Sequence, residues 1–226
     1  MAMDERQHLR TPARLGSAAG LTVPPEALTR AHALATTGQR RLLGLVAPPG
    51  AGKSTLAALL AQALGDQAQV VPMDGFHLAQ AELRRLGRAD RKGAPDTFDS
   101  AGYVALLRRL RQPQAGETVY APAFRREIEE PVAGAIAVPA SLPLVITEGN
   151  YLLLDALHWR EVAALLDEVW YLDVDDERRR EQLLQRHVVQ GRSPEAARQW
   201  MQHTDEPNAR LIAATRARAT WHLRWG

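Results

Sequence analysis

The sequence predicts an α/β fold, a mainly parallel five-stranded sheet held between two layers of helix. Three observations predict it. Short apolar runs, RRLLGLVA (40–47), AQVVPMD (68–74), LPLVITEG (142–149) and DEVWYLDV (167–174), alternate with segments of helical period, the pattern of strands buried on both faces. The first run is followed by a glycine-rich turn that opens directly into an alanine- and leucine-rich helix. The length of 226 residues suits one such domain and leaves little room for a second.

In chain order, residues 1–22 read as a loose, charged leader and 23–226 as the single domain. VPPEALTRAHALATTG (23–38) predicts a helix, with prolines at its start and Gly38 after its end. The first strand follows, then a helix over Lys53–Leu64, then the second strand, AQVVPMD. A polar, arginine-rich region spans 79–99, and SAGYVALLRRLRQ (100–112) predicts a helix. Residues 118–140 hold two short strand-like pieces, VYAPAF and AIAVPA, split by the charged RREIEEP. The third and fourth strands are LPLVITEG and DEVWYLDV; helices are expected over 176–190, 194–203 and 207–218, and TWHLRW (220–225) as a last strand.

Composition narrows the function. A hydrophobic fraction of 46% and a charged fraction of 24% are those of an ordinary globular protein. A formal charge of +2 gives no case for nucleic acid, since the arginines are interleaved with acids and no aromatic stacking set accompanies them. With no cysteine, disulfides and thiolate metal sites are excluded. No apolar run reaches the roughly 18 residues of a membrane helix, and the leader lacks an apolar signal core. A cytoplasmic protein without membrane partners is expected; a homodimer stays open.

One spacing carries the chemistry. Only two lysines, Lys53 and Lys92, stand beside 26 arginines, and one of them lies in APPGAGKS (47–54). This is the phosphate-loop pattern of a P-loop NTPase, with Ala47 where a first glycine is usual. Pro49, Gly50, Ala51 and Gly52 form the turn, and backbone N–H groups and the helix start at Lys53, Ser54 and Thr55 cradle phosphate oxygens. Lys53 is a flexible point cation for the β- and γ-phosphates of ATP, which the rigid fork of arginine would replace poorly; Ser54 can ligate Mg²⁺. Two acids sit at strand ends, where ligands of open α/β sheets bind. Asp74 suits the base that takes a proton from an acceptor hydroxyl, and Glu148 suits the metal. The plain alternatives are a local turn for Asp74 and a solvated loop acid for Glu148.

PMDGFH, RKGAPDTFD, YAPAF and ITEGNYLLL, in this order after the phosphate loop, resemble the superfamily of uridine kinase, phosphoribulokinase and bacterial pantothenate kinase. The nearest likeness is to a bacterial nucleoside/nucleotide kinase branch, some members of which are labelled fructose transport system kinases. The resemblance spans 42–211. It implies an ATP- and Mg²⁺-dependent kinase acting on a small-molecule hydroxyl. Asp74 would be the base, with an acceptor-binding region over 79–140 drawing on His77, Arg91, Lys92, Asp96, Phe98, Phe124, Arg126 and Asn150. A lid over 176–195 would bring Arg179, Arg186 and Arg192 to the phosphates, Arg186 as a catalytic group. The chain departs from relatives at Arg125, where an acid is common. The expected acceptor is a nucleoside such as uridine or cytidine, with pantothenate or a sugar such as fructose as alternatives; a rival class is a nucleotide-binding regulator without catalysis. His187 and His203 share no metal-ligand spacing with His77, and Asp205 and Asn208 read as helix-capping residues.

Overall fold

The computed structural model describes residues 21–226, so nearly all of the expected leader lies outside the described residues. The chain forms α1 (Pro25–Ala35), β1 (Arg41–Val46), α2 (Lys53–Leu64), β2 (Ala68–Val70), α3 (Gln80–Arg85), α4 (Ser100–Arg111), β3 (Thr118–Arg125), β4 (Glu130–Pro139), β5 (Leu144–Gly149), α5 (Val162–Leu165), β6 (Glu168–Asp173), α6 (Asp176–Val189), α7 (Pro194–Trp200), α8 (Glu206–Ala213) and β7 (Trp221–Arg224). Five strands make one sheet in the order β2-β5-β1-β6-β7, every neighbouring pair parallel. β3 and β4 form a separate antiparallel hairpin.

Alternation along the central strands builds two cores. Leu42 and Val46 of β1, Val145 of β5 and Val169 and Tyr171 of β6 face one core, shared with α4 and α5. Leu43 and Leu45, Leu144 and Ile146, and Trp170 and Leu172 face the other, shared with α1 and α2. α1 begins with Pro25 in its first turn and buries Ala27, Ala31 and Ala35, one stripe at four-residue spacing. α4 is capped by Asp99, whose Oδ1 accepts from Gly102 N at 2.8 Å, and ends in Arg108, Arg109 and Arg111, charges that suit both ends of the helix dipole. At the amino-terminal edge of the sheet Asp167 accepts from Leu42 N (2.8 Å) and Arg41 (2.9 Å) and meets Arg111 at 3.3 Å, which ties the start of β1 to α4. Among the described residues no helix is long and apolar enough to cross a membrane.

Three expectations are corrected. The second strand pairs only over Ala68–Val70; Pro72 has no N–H to donate to a ladder, and Met73–Phe76 coils into a 3-10 turn that carries Asp74. The pieces expected in 118–140 extend into one long hairpin whose tip is the charged segment. The helices expected over 194–203 and 207–218 are one helical run, α7 passing through a π turn at Met201–Asp205 into α8, which ends at Ala213. The segment Leu157–Leu165 had no expectation: a 3-10 turn and one turn of α-helix carry too few residues to show a period.

Trp159 from this short segment is fully buried and packs against Phe98, Tyr103 and Tyr151 at centroid distances of 5.6–5.7 Å, while its indole N–H donates to Pro95 O at 3.0 Å. The cluster fixes the 91–99 segment to the sheet. Trp159→Ala is expected to lower the unfolding free energy by about 3–5 kcal/mol, read by denaturant titration; a loss below about 1 kcal/mol would show that the cluster is not core.

Candidate functional site

The site lies at the carboxyl edge of the sheet. The register pairs Leu45 with Glu148 and Val46 with Gly149, so β1 and β5 end side by side and β1 runs into the glycine turn. Gly50 (φ +86°) and Gly52 (φ +79°) hold left-handed backbone. A Cβ at Gly50 would lie 2.6 Å from Arg179 O, and one at Gly52 2.8 Å from the Trp225 indole nitrogen, so neither place tolerates a side chain. α2 begins with no side-chain cap and no acid in its first turn. Its first N–H groups are therefore open to an anion.

Lys53 is 8% exposed and its Nζ donates to Ala47 O (2.8 Å) and Pro48 O (3.2 Å). Burial pulls its pKa down to about 8, against the raising influence of Glu148 and Asp74. Ser54 Oγ donates to Glu148 Oε1 at 2.8 Å. Burial and the nearby charge of Asp74 push the Glu148 pKa up, opposed by Lys53. The hydroxyl and carboxylate converge on hard oxygen donors of the kind Mg²⁺ takes alongside phosphate and water. This fits the ion.

Asp74 faces the same space, with Arg126 Nη2 3.8 Å from its Oδ2. His77 Nδ1 lies 2.7 Å from Asp74 O, and its ring packs 4.0 Å from Phe98 and 4.7 Å from Phe124. Burial lowers the His77 pKa, with Asp74 opposing. Lys92 Nζ stands 5.2 Å from the Phe124 ring and donates to Glu129 O at 2.6 Å.

A cleft of about 680 Å³ joins these groups. Of the expected site residues it is lined by Pro49, Lys53, Ser54, Asp74, His77, Lys92, Phe98, Phe124, Arg126, Glu148, Asn150, Arg186 and Arg192. Gly50, Ala51, Gly52 and Thr55 form the turn and helix start beside it rather than its wall. Three expected residues are not brought in. Arg91 and Asp96 pair with each other, Arg91 Nη2 to Asp96 Oδ2 at 2.7 Å. Arg179, 2% exposed, donates to Pro49 O (3.1 Å), Asp176 Oδ1 (2.7 Å) and Glu206 Oε1 (2.8 Å). It braces the glycine turn from behind. Asp205 is not a cap: it sits in helical backbone without a capping bond, and its Oδ2 lies 2.8 Å from His187 Nε2.

The cleft also takes Arg84, His187 and Gln190, which lie in the expected acceptor and lid regions without having been singled out, and Trp200, Asp205 and Asn208, which the sequence had not placed in a site. No local spacing marks those on α6–α8, because the turn at Gly191 and the π turn decide which faces of these helices meet the cleft.

The family model described as "Phosphoribulokinase / Uridine kinase family" matches residues 42–219. "Putative uridine kinase C227.14" of Schizosaccharomyces pombe is 37% identical over 175 residues, 74% of each chain. "ATP-dependent kinase-like protein notR'" of Aspergillus versicolor is 40% identical over 131 residues, 55% of this chain and 76% of its own. Among solved structures, a "putative fructose transport system kinase" from Silicibacter sp. TM1040 superposes with a TM-score of 0.78 at 39% identity, covering 87% of this chain and 97% of its own.

Proposed function

Because the chain belongs to the phosphoribulokinase/uridine kinase family of P-loop kinases, we propose that it transfers the γ-phosphoryl group of ATP, with Mg²⁺, to a hydroxyl of a small molecule. The observation that carries the reading is one cleft holding Lys53, the Ser54–Glu148 pair and Asp74. A polyphosphate on the open start of α2 meets backbone N–H groups and the Lys53 ammonium, which exchanges carbonyl partners for phosphate oxygens. Ser54 and Glu148 would hold Mg²⁺, which would supply positive charge beside the phosphates. Asp74 takes the proton of the acceptor hydroxyl as oxygen attacks phosphorus. Arg186 and Arg192 offset charge on the transferring group. A nucleotide-binding regulator without catalysis has no use for a carboxylate facing both the phosphate cradle and an open pocket, and this favours the kinase.

For the acceptor, the aromatic wall of His77, Phe98 and Phe124 supports a flat ring, hence a nucleoside such as uridine or cytidine. A second reading has its own observation. Of the six Lys and Arg side chains lining the cleft, only Arg126 has a carboxylate within 4.0 Å among the described residues, and that is Asp74 at 3.8 Å. Lys92, Arg84 and Arg126 on the acceptor side suit an acceptor with an anionic group, such as pantothenate or a phosphorylated sugar. ADP release assayed on matched pairs (uridine and its 3′-phosphate, which keeps the 5′-hydroxyl, panthenol and pantothenate, fructose and its phosphates) decides. Turnover of a neutral member alone supports the nucleoside or sugar reading, turnover of the charged members alone the second, and ATP binding without turnover of any the regulator.

Asp74→Asn is nearly isosteric. It is expected to keep ATP affinity and to lower transfer by a factor on the order of 10²–10⁴, read as kcat on the acceptor found above. Loss of ATP binding together with transfer would place Asp74 on the metal instead.

The Lys53 pKa of about 8 sets a pH dependence. Polyphosphate stabilises the charged form and raises that pKa, so at about pH 8.5, where the ligand-free lysine is mostly neutral, ATP binding takes up a proton. Calorimetry in buffers of different ionisation enthalpy reads an uptake of at most about three quarters of a proton at that pH. Lys53→Met is expected to abolish it and to weaken binding; an unchanged uptake would assign the proton to another group.

A further inference from the structure

One wall of the cleft holds a chain of side chains that nothing above explains. His187, near the end of α6, is 6% exposed and uses both ring nitrogens. Its Nδ1 lies 2.8 Å from Arg192 Nη1 and its Nε2 2.8 Å from Asp205 Oδ2. A guanidinium only donates, so Nδ1 accepts from Arg192 and the ring proton sits on Nε2, donated to Asp205. The Arg192 guanidinium carbon also lies 4.2 Å from the centroid of the Trp200 ring, a cation–π contact. Its backbone N–H donates to His187 O at 3.1 Å across the Gly191 turn (φ +95°). Asp205 is 8% exposed and stands at the last residue of the π turn. The wider winding there rotates the carboxylate inward, and such turns are energetically poor and gather at functional sites. All four side chains line the cleft that holds Lys53, Ser54 and Asp74.

We propose that Asp205 and His187 are positioning residues that hold Arg192 on the cleft wall, aimed at the outermost phosphoryl group of the bound nucleotide. The proposal rests on the kinase reading. A free arginine on a charged surface helix would lose rotamer freedom each time it met a phosphate. Here that loss is met in advance, because a hydrogen bond to His187 and the contact with Trp200 hold the guanidinium in place. Arg192 keeps further N–H donors for the ligand. Asp205 acts one step back. Its carboxylate fixes the imidazole tautomer that leaves Nδ1 as acceptor; the opposite tautomer would turn an N–H against the arginine and release it.

The test uses the full chain, with Mg²⁺–AMP-PNP and Mg²⁺–ADP as probes, measured by calorimetry on wild type, Arg192→Met, His187→Phe and the double variant. Each single variant is expected to lower AMP-PNP affinity about tenfold or more, the loss of one charge-assisted hydrogen bond, with little change for ADP. The double variant is expected to lose no more than either single one, since both remove the same interaction. Asp205→Asn, which preserves shape should His187→Phe fail to fold, is expected to act in the same direction and to add nothing in the Arg192→Met background. A merely structural role for His187 and Asp205 predicts equal losses for AMP-PNP and ADP. Equal losses, additive losses, or unchanged AMP-PNP affinity in His187→Phe or Asp205→Asn overturn the latch alone. Absence of AMP-PNP binding by the wild type overturns the kinase reading, and the latch with it.

Discussion

The structure depends on keeping one ammonium charged in a place that is nearly dry. Lys53 lies under the glycine turn with two backbone carbonyls as its hydrogen-bond partners, and an unpaired cation there would carry a large desolvation cost. Ala47 O and Pro48 O supply acceptors, and Glu148 and Asp74 supply opposite charge. Each partner needs a particular backbone. The carbonyls reach the lysine because the chain turns sharply through Gly50 and Gly52 before α2 begins. Glu148 is close because β5 runs parallel to β1 and ends with it; an antiparallel neighbour would have placed its own start at this edge. The parallel sheet, the glycine turn and the buried carboxylate thus answer one electrostatic requirement, and the site lies where that requirement is met.

A second layer keeps this arrangement rigid from outside. Arg179 is almost fully buried yet satisfied three times over, by Pro49 O, Asp176 and Glu206. Leu183, one turn further along α6, comes within contact of Gly50. The start of α6 is therefore bound to the phosphate turn itself, and swinging it away would strip a buried guanidinium of its partners at a cost of several kcal/mol. Any closing motion has to be drawn from the later part of the segment, the end of α6 and the Gly191 turn, where Arg186 and Arg192 stand. Of the segment 176–195, the start is bound to the phosphate turn and the end lines the cleft.

This division explains what was legible in the sequence. The sheet was legible because each central strand is buried on both faces and reads as an apolar run. APPGAGKS was legible because a turn that bars side chains at two places and needs one point cation leaves few other spellings. Asp74 and Glu148 followed from their places at strand ends, although Asp74 sits in a 3-10 turn after a strand cut short by Pro72. Arg179 was misplaced because helical spacing groups it with Arg186 on one face while saying nothing of Glu206, which the chain brings back 27 residues later. Arg91 and Asp96 stood in a kinase-like motif, and motif membership does not tell a pair that satisfies itself from a pair aimed at a ligand. Asp205 was read as a cap because the π turn that carries it inward has no sequence signature.

The use of lysine and arginine follows the same physics. Under the proposed transfer reaction, the cation at 53 leaves its two carbonyl partners when phosphate arrives. A flexible stem with a compact head can exchange two carbonyls for phosphate oxygens by rotation, and its pKa can rise with the exchange; a guanidinium, planar and always charged, could do neither in so tight a space. Elsewhere on the cleft wall the cation has to stay where it is put. Arg192 packs over Trp200 and donates to His187, and its several fixed donors let it hold that place and still offer N–H groups to the cleft. Of 28 basic side chains only two are lysines, and both line the cleft: Lys53 under the glycine turn and Lys92 beside Phe124.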